Sequence, residues 1–277
     1  MREIKFLHWN INRKNLLEQI TELSQNIDIL LLVENFEISD EEILKKTGFR
    51  KLENFDETCN KKIITPQFYT RLEMSEFQYC STGHNKRFVF ASLKIGEFEE
   101  ILIIGMHFPS KMRKTDDNQE RVARNCIKEI VNAENKLKLQ RTLIVGDFNM
   151  NPFEKGMYEC DAFNATLSEI KTKGISQKVD YNNYDFFYNP IWSLLGDRNC
   201  ETGKLKLPGT YYFEKDFYWN IFDQVIMRPS VIPFFDFKTL KIIEKSKTYS
   251  LTNENHQIKT EFSDHLPLTF SLNFSEV

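Results

Sequence analysis

Two periods alternate along the chain. Ile4 to Trp9 reads as a strand, and "NLLEQITELSQ", Asn15 to Gln25, then places Leu16, Leu17, Ile20 and Leu23 at helical spacing. Ile29 to Val33 is apolar on both faces, as a strand covered on both sides would be, and it stops at Glu34. Further strands are predicted over Ile63 to Tyr69, Phe88 to Leu93 and Ile101 to Met106, with His107 directly after the last. Asp116, Asp117 and Glu120 mark a helix start, and Val122, Cys126, Ile130 and Val131 keep a roughly helical period behind them. Thr142 to Val145 returns to strand. From Asn151 to about Tyr218 the pattern weakens into aromatic and polar loops, where substrate recognition can vary. "NIFDQVIM" with Asp223 inside it, "FFDFKTLKII" and a last strand behind Ser263-Asp264-His265 complete the series. There is no fixed-period repeat, low-complexity tract or Pro- or Gly/Ser-rich linker, so residues 1–277 read as one domain.

What the strands share is their ends. Asn10 and Asn12, Glu34, His107, Asp147 and Asn149, and Asp264 with His265 each stand where an apolar run finishes. In layered α/β proteins such ends carry ligand sites, because loops there sit on a rigid base. In "TLIVGDFNMNPF" the run stops at Gly146, and in an extended chain Asp147 and Asn149 would point the same way. Asp223 is the hardest to explain by packing, since an unpaired carboxylate in an apolar strand costs several kcal/mol; His265 is its candidate partner.

Composition narrows the classes. With 37 Lys and Arg against 40 Asp and Glu, the net charge of -3 argues against coating nucleic acid by bulk electrostatics and leaves room for a local basic groove. The five Cys show no CxxC pair, so neither a zinc knuckle nor a disulfide framework is indicated, and reduced thiols in a cytoplasm fit best. The first residues lack the apolar run of a signal peptide, and no window approaches the roughly 18 apolar residues of a membrane span.

The segments "HWNIN", "LLLVEN", "GMHFPSK", "IVGDFN", "FDQVIM" and "FSDHLPL", in that order over nearly the whole chain, resemble the endonuclease/exonuclease/phosphatase, or DNase I-like, superfamily. "GDFN" with "SDH" is the most specific part of the match. The resemblance implies a four-layer α/β sandwich, two mixed β-sheets face to face with helices outside, and a metal-dependent phosphoester hydrolase. It implies Glu34 as principal Mg²⁺ ligand, with Mn²⁺ as an alternative ion, helped by Asn12 and Asp264; oxygen donors of this kind suit hard cations. By the same resemblance Asp147 orients or deprotonates the attacking water and Asn149 holds it or a phosphate oxygen. His265 donates to the phosphate with Asp223 fixing its ring, His107 is a second donor toward the leaving oxygen, and Asn10 supports the network. Asn12 stands where some relatives have Asp, and His107 where abasic-site enzymes have Tyr, which points away from abasic-site repair. The acid that partners the second His of DNase I has Glu73 and Glu76 as candidates.

Bland readings stand beside these. Asp147 and Asn149 suit a turn, Ser263-Asp264 suits another, and His8 reads as structural within the first strand, with His84 and His256 in polar loops. Among Lys111, Arg113, Lys114, Arg121 and Arg124, which follow His107, only Lys111 is put forward as substrate-binding; the rest read as a solvated face. Tyr211, Tyr212, Phe213, Tyr218 and Trp219 either stack on bases or fill core. Three functions follow: a nuclease acting on DNA or RNA, a phosphatase or phosphodiesterase for a small phosphorylated metabolite, nucleotide or lipid head group, and a non-catalytic interaction module, which the presence of Glu34, Asp147 and His265 disfavours.

Overall fold

The structure, a computed structural model, describes residues 2–52, 66–82, 87–95, 99–111, 115–199, 202–213 and 218–274. In chain order the elements used below are β1 (Arg2–Asn10), α1 (Leu17–Leu23), β2 (Ile29–Val33), α2 (Asp40–Thr47), β3 (Arg50–Lys51), β4 (Gln67–Thr70), β5 (Phe77–Thr82), β6 (Phe88–Ile95), β7 (Glu99–His107), α3 (Asp116–Leu137), β8 (Thr142–Asp147), β9 (Ala165–Thr166), β10 (Ser176–Val179), β11 (Asn182–Asp185), β12 (Phe187–Tyr188), β13 (Tyr211–Phe213), β14 (Tyr218–Asn220), β15 (Asp223–Met227), β16 (Phe235–Ile242) and β17 (Leu268–Phe274). One sheet runs β16-β17-β1-β2-β4-β3 and the other β5-β6-β7-β8-β15-β12-β9. Both are mixed: β1 with β2, β7 with β8 and β12 with β9 are parallel pairs, and their other pairings are antiparallel.

The period of two decides what each layer buries. Ile4 and Phe6 of β1, Ile101 and Ile103 of β7, Leu143 and Val145 of β8, and Val225 and Met227 of β15 meet in one core between the sheets. The alternate residues Leu102, Ile104, Ile144 and Ile226 pack against Ala123, Cys126 and Ile130 of α3. On the far side Leu7, Trp9, Leu30 and Leu32 pack against Ile20 of α1 and Ile43 of α2. Three apolar interiors between helix, sheet, sheet and helix make the expected four-layer sandwich. Among the described residues no helix is long and apolar enough to cross a membrane.

Two glycines set the spacing near the ends of β7 and β8. A Cβ on Gly105 would lie 2.8 Å from Leu31 Cδ1, across the sheet interface. A Cβ on Gly146, at φ +152°, would lie 2.0 Å from the Met106 carbonyl oxygen, so only glycine lets β8 approach β7 immediately before Asp147.

Several expectations shift in detail. The predicted strand at Ile63 begins at Gln67, residues 63–65 lying outside those described, and "NIFDQVIM" divides, so that Asp223 opens β15 rather than sitting inside it. Val131 is 36% exposed on the outer side of α3. Helix α2, with Ser39 and Glu42 forming a capping box and Gly48 closing it at φ 77°, has too short an amphipathic stretch to register as a period.

α3 is fastened by a buried ion pair. Glu134 receives Arg228 Nε and Nη2, both at 2.9 Å, and the Thr142 hydroxyl at 2.6 Å, while the Arg228 guanidinium lies 3.9 Å from the centre of the Phe187 ring. Glu134→Ala leaves a buried guanidinium without its carboxylate and is expected to lower the unfolding free energy by about 3–5 kcal/mol, read from urea denaturation.

Candidate active site

The site grows out of the same alternation. Along the facing surfaces the inward rows continue past the apolar core into His8 and Asn10 on β1, His107 on β7, Asp147 on β8 and Asp223 on β15. Register aligns His107 with Asp147 and Asp147 with Asp223, so three neighbouring strands present a row of polar groups. The opposing sheet brings Val33 beside Asn10, which puts Glu34 and Asn12 at the same rim.

Asp223 is fully buried, and each of its oxygens takes a ring nitrogen: His265 Nδ1 at 2.8 Å on Oδ2 and His8 Nε2 at 2.8 Å on Oδ1. The predicted Asp223–His265 pair is therefore present, and His8 is a second partner that its place within a strand had concealed. Facing a carboxylate, both nitrogens act as donors. Burial opposes the charge on Asp223, but His265 and His8 outweigh it and hold the carboxyl well below its usual range. Burial likewise works against a charged His265, yet the charges of Asp223 and Asp147 push it up to about 10.

His265 is held from behind. The Trp9 indole donates to its carbonyl at 2.9 Å, its own N–H donates to Ser263 Oγ at 3.1 Å, and that hydroxyl donates to the Asn10 carbonyl at 2.7 Å. Ser263 does form a turn, and the turn aims the imidazole. Tyr211 stacks on Phe222 and lies 4.8 Å from the His265 ring, while Tyr212 and Trp219 pack against core. Sequence position alone offered no sign of that division.

Asp147 Oδ2 is the meeting point. It accepts Asn10 Nδ2 and Asn149 Nδ2, both at 3.0 Å, and lies 3.9 Å from His265 Nε2 and 4.0 Å from His107 Nε2. Gaps of this length suit an intervening oxygen atom, from water or substrate. Burial raises the Asp147 carboxyl to about 6, against the pull of His265. Asn149 meets Asp147 by a different route from the one extended backbone would give. The strand ends at Asp147, Asn149 turns to φ 49°, and its N–H donates to Asp147 Oδ1 at 2.8 Å, an Asx-type turn.

His107 Nε2 lies 3.5 Å from Glu34 Oε1, so Glu34 is the acid that faces it; Glu76 is paired with Arg2 and Glu73 faces Arg50 at the protein surface. Burial, then the charges of His265 and Arg87, push His107 down to about 4. The other Glu34 oxygen receives Arg13 Nε at 3.1 Å, a contact the sequence did not suggest. Asn12, Arg13 and Glu34 all have positive φ, of 45°, 59° and 56°. Asn12 is joined to the network through its N–H, 3.0 Å from Asn10 Oδ1. Lys111 is occupied elsewhere, between Glu154 and Asp116, and Arg124 pairs with Glu120 and Asp161; Arg113 and Lys114 lie outside the described residues.

Of the carboxylates expected to hold a divalent cation, Glu34 turns its oxygens toward His107 and Arg13. Asp264 Oδ1 is buried with no hydrogen-bond partner, and its charge acts on both His265 and Tyr211. A buried carboxylate oxygen left bare fits a metal ligand. Asp147, Asp223 and His265 also offer ligand atoms within 4.8 Å of one another, but both Asp223 oxygens and His265 Nδ1 are already hydrogen-bonded, which makes that group a proton-holding relay rather than a cage.

Solved structures share this architecture. The 3′ phosphatase NExo from Neisseria, bound to product DNA hairpin, matches at TM-score 0.59 with 13% identity over 98% of this chain and 100% of its own. An endonuclease/exonuclease/phosphatase family protein from Bacteroides thetaiotaomicron matches at 0.58 with 15% identity, covering 98% of each chain. The chain has the DNase I-like fold. The human Nocturnin catalytic domain, with bound sulfate anion, is a further DNase I-like match at 0.57, 14% identical over 99% of this chain and 95% of its own. No protein-family model and no curated protein sequence matches the chain.

Within this DNase I-like frame the relay is testable by itself. Asp223→Asn gives one of the two imidazoles an amide N–H where it had a carboxylate oxygen. Leaving a buried donor unpaired is expected to cost about 1–3 kcal/mol of stability, measured by denaturant unfolding at pH 7.

Proposed function

We propose that the protein is a divalent-metal-dependent phosphodiesterase acting on nucleic acid. The observation that supports this most directly is the approach of His107 and His265 to the same oxygen of Asp147, with Glu34 facing His107. Asp147, steadied by Asn10 and Asn149, orients the attacking water and takes its proton. His265, fixed by Asp223 and Trp9, presents Nε2–H to a phosphate oxygen as negative charge grows, and His107 presents a second donor. Glu34 and Asp264, with Asn12 close by, would hold Mg²⁺ or Mn²⁺, which when bound would neutralise phosphate oxygens and the leaving group.

Nucleic acid is favoured because similar structures hold product DNA, as a hairpin in NExo and as a single strand in TDP2 of D. rerio. A second reading, a small phosphorylated substrate, draws on the pairing of Lys111 and Arg124 with carboxylates, which takes two cations away from any long basic trough. Incubation with plasmid and with single-stranded RNA separates the readings. Cleavage that stops in EDTA and returns with Mg²⁺ or Mn²⁺ is expected, whereas phosphate release from small phosphates alone would favour the second. Asp147→Ala and His265→Ala are each expected to lower kcat by ~10²-fold or more; near-normal turnover would remove these roles.

A further inference from the structure

We infer that a base of the substrate strand stacks on the exposed Phe153 ring in an aromatic pocket reached by the loop that leaves β8 at the catalytic carboxylate, with Trp192 as a further wall. This rests on the reading of the site as a nucleic-acid phosphodiesterase and names what that site grips apart from phosphate.

The pocket has a volume of about 330 Å³, and Phe153, Trp192, Tyr158, Phe186, Thr166 and Gln177 are among its walls. That is the size of a small-molecule site. Phe153 is 55% exposed and Tyr158 48%, large rings left open to solvent in a protein that buries most of its phenylalanines. The Phe153 and Trp192 rings stand 6.3 Å apart at 60°, and the Trp192 indole nitrogen is buried with no hydrogen-bond partner. Lys171 is the one charged residue among the walls, and its ammonium lies 5.4 Å from the centre of the Phe186 ring. Flat apolar faces with neutral hydroxyl and amide edges suit a heterocycle with ring nitrogens and carbonyls; they offer little to a second phosphate.

Position ties the pocket to the chemistry. Phe153 lies on the loop that leaves β8 at Asp147, and Asn151 fastens that loop, accepting from the Ile221 N–H at 2.9 Å and donating to Asn220 Oδ1 at 2.9 Å. β12 runs antiparallel to β15 with Tyr188 opposite Met227, so the chain moving on to Trp192 heads toward the Asp223 end of the sheet. β9 is parallel to β12 and delivers Leu167, another wall of the pocket, to the same end. Six residues from Asp147 to Phe153 bound their separation at roughly 20 Å even if fully extended.

The test reads tryptophan fluorescence in EDTA, so that binding is observed without turnover, with nucleoside 5′-monophosphates and base-free ribose 5-phosphate as probes. Saturable quenching by the nucleotides, lost in Trp192→Phe and absent with ribose 5-phosphate, is expected. Phe153→Ala should weaken nucleotide binding about tenfold, as loss of one base–aromatic stack does, and raise KM for a short oligonucleotide more than it lowers kcat. Phe153→Tyr keeps the ring and should restore both. Equal quenching by ribose 5-phosphate, no quenching by any nucleotide, or unchanged affinity in Phe153→Ala overturns the pocket. With metal-dependent cleavage intact, that failure leaves the phosphodiesterase reading standing; quenching without cleavage of DNA or RNA has the opposite meaning.

Discussion

The carboxylate of Asp223 is the constraint on which the rest depends. A buried carboxylate is tolerable only when both oxygens are paired, and here the two partners come from different parts of the other sheet: His8 from β1 and His265 from the turn before β17. One side chain on β15 therefore ties the two sheets together at one end. A slide of one sheet over the other would break both pairs, so the packing register and the aim of His265 are fixed by the same bonds.

The polar end of the sandwich is a continuation of its core. The rows that begin as Ile101-Ile103 and Leu143-Val145 end in His107 and Asp147 without any change of period, only of residue type. A rigid, dry base lies directly behind each polar group. Low dielectric strengthens the Asp223–His265 attraction and, at the same time, makes the Asp147 charge harder to keep.

Much of this was legible because the strands near the site are buried on both faces. Ile29–Val33 was marked out to the residue by its unbroken apolar run; β7 and β8 were located by theirs, but each continues past the change of polarity, β7 through His107 and β8 through Gly146 and Asp147. Elements of two to four residues, such as β9, β12 and the β10–β11 hairpin, are too short to show a period and owe their shape to neighbours. The site was legible where polarity broke a pattern. His8 kept the alternation of β1 and so looked structural, although it shares the Asp223 carboxylate; Arg13 and Phe153 stand in loops, where no pattern exists to be broken. Lys111 followed His107 closely in sequence, but local sequence does not reveal that Glu154 and Asp116 would claim it.

Asn12, Arg13, Glu34 and Asn149 all occupy left-handed backbone around the rim, a region that glycine enters freely, that asparagine tolerates and that costs residues such as Arg13 and Glu34 roughly 1–2 kcal/mol apiece. A chain shaped for durability alone would place glycine at Arg13 and Glu34. Keeping side chains there means that this rim is held under conformational tension by the sandwich beneath it, and that some of the molecule's robustness has been exchanged for the chemistry of its mouth.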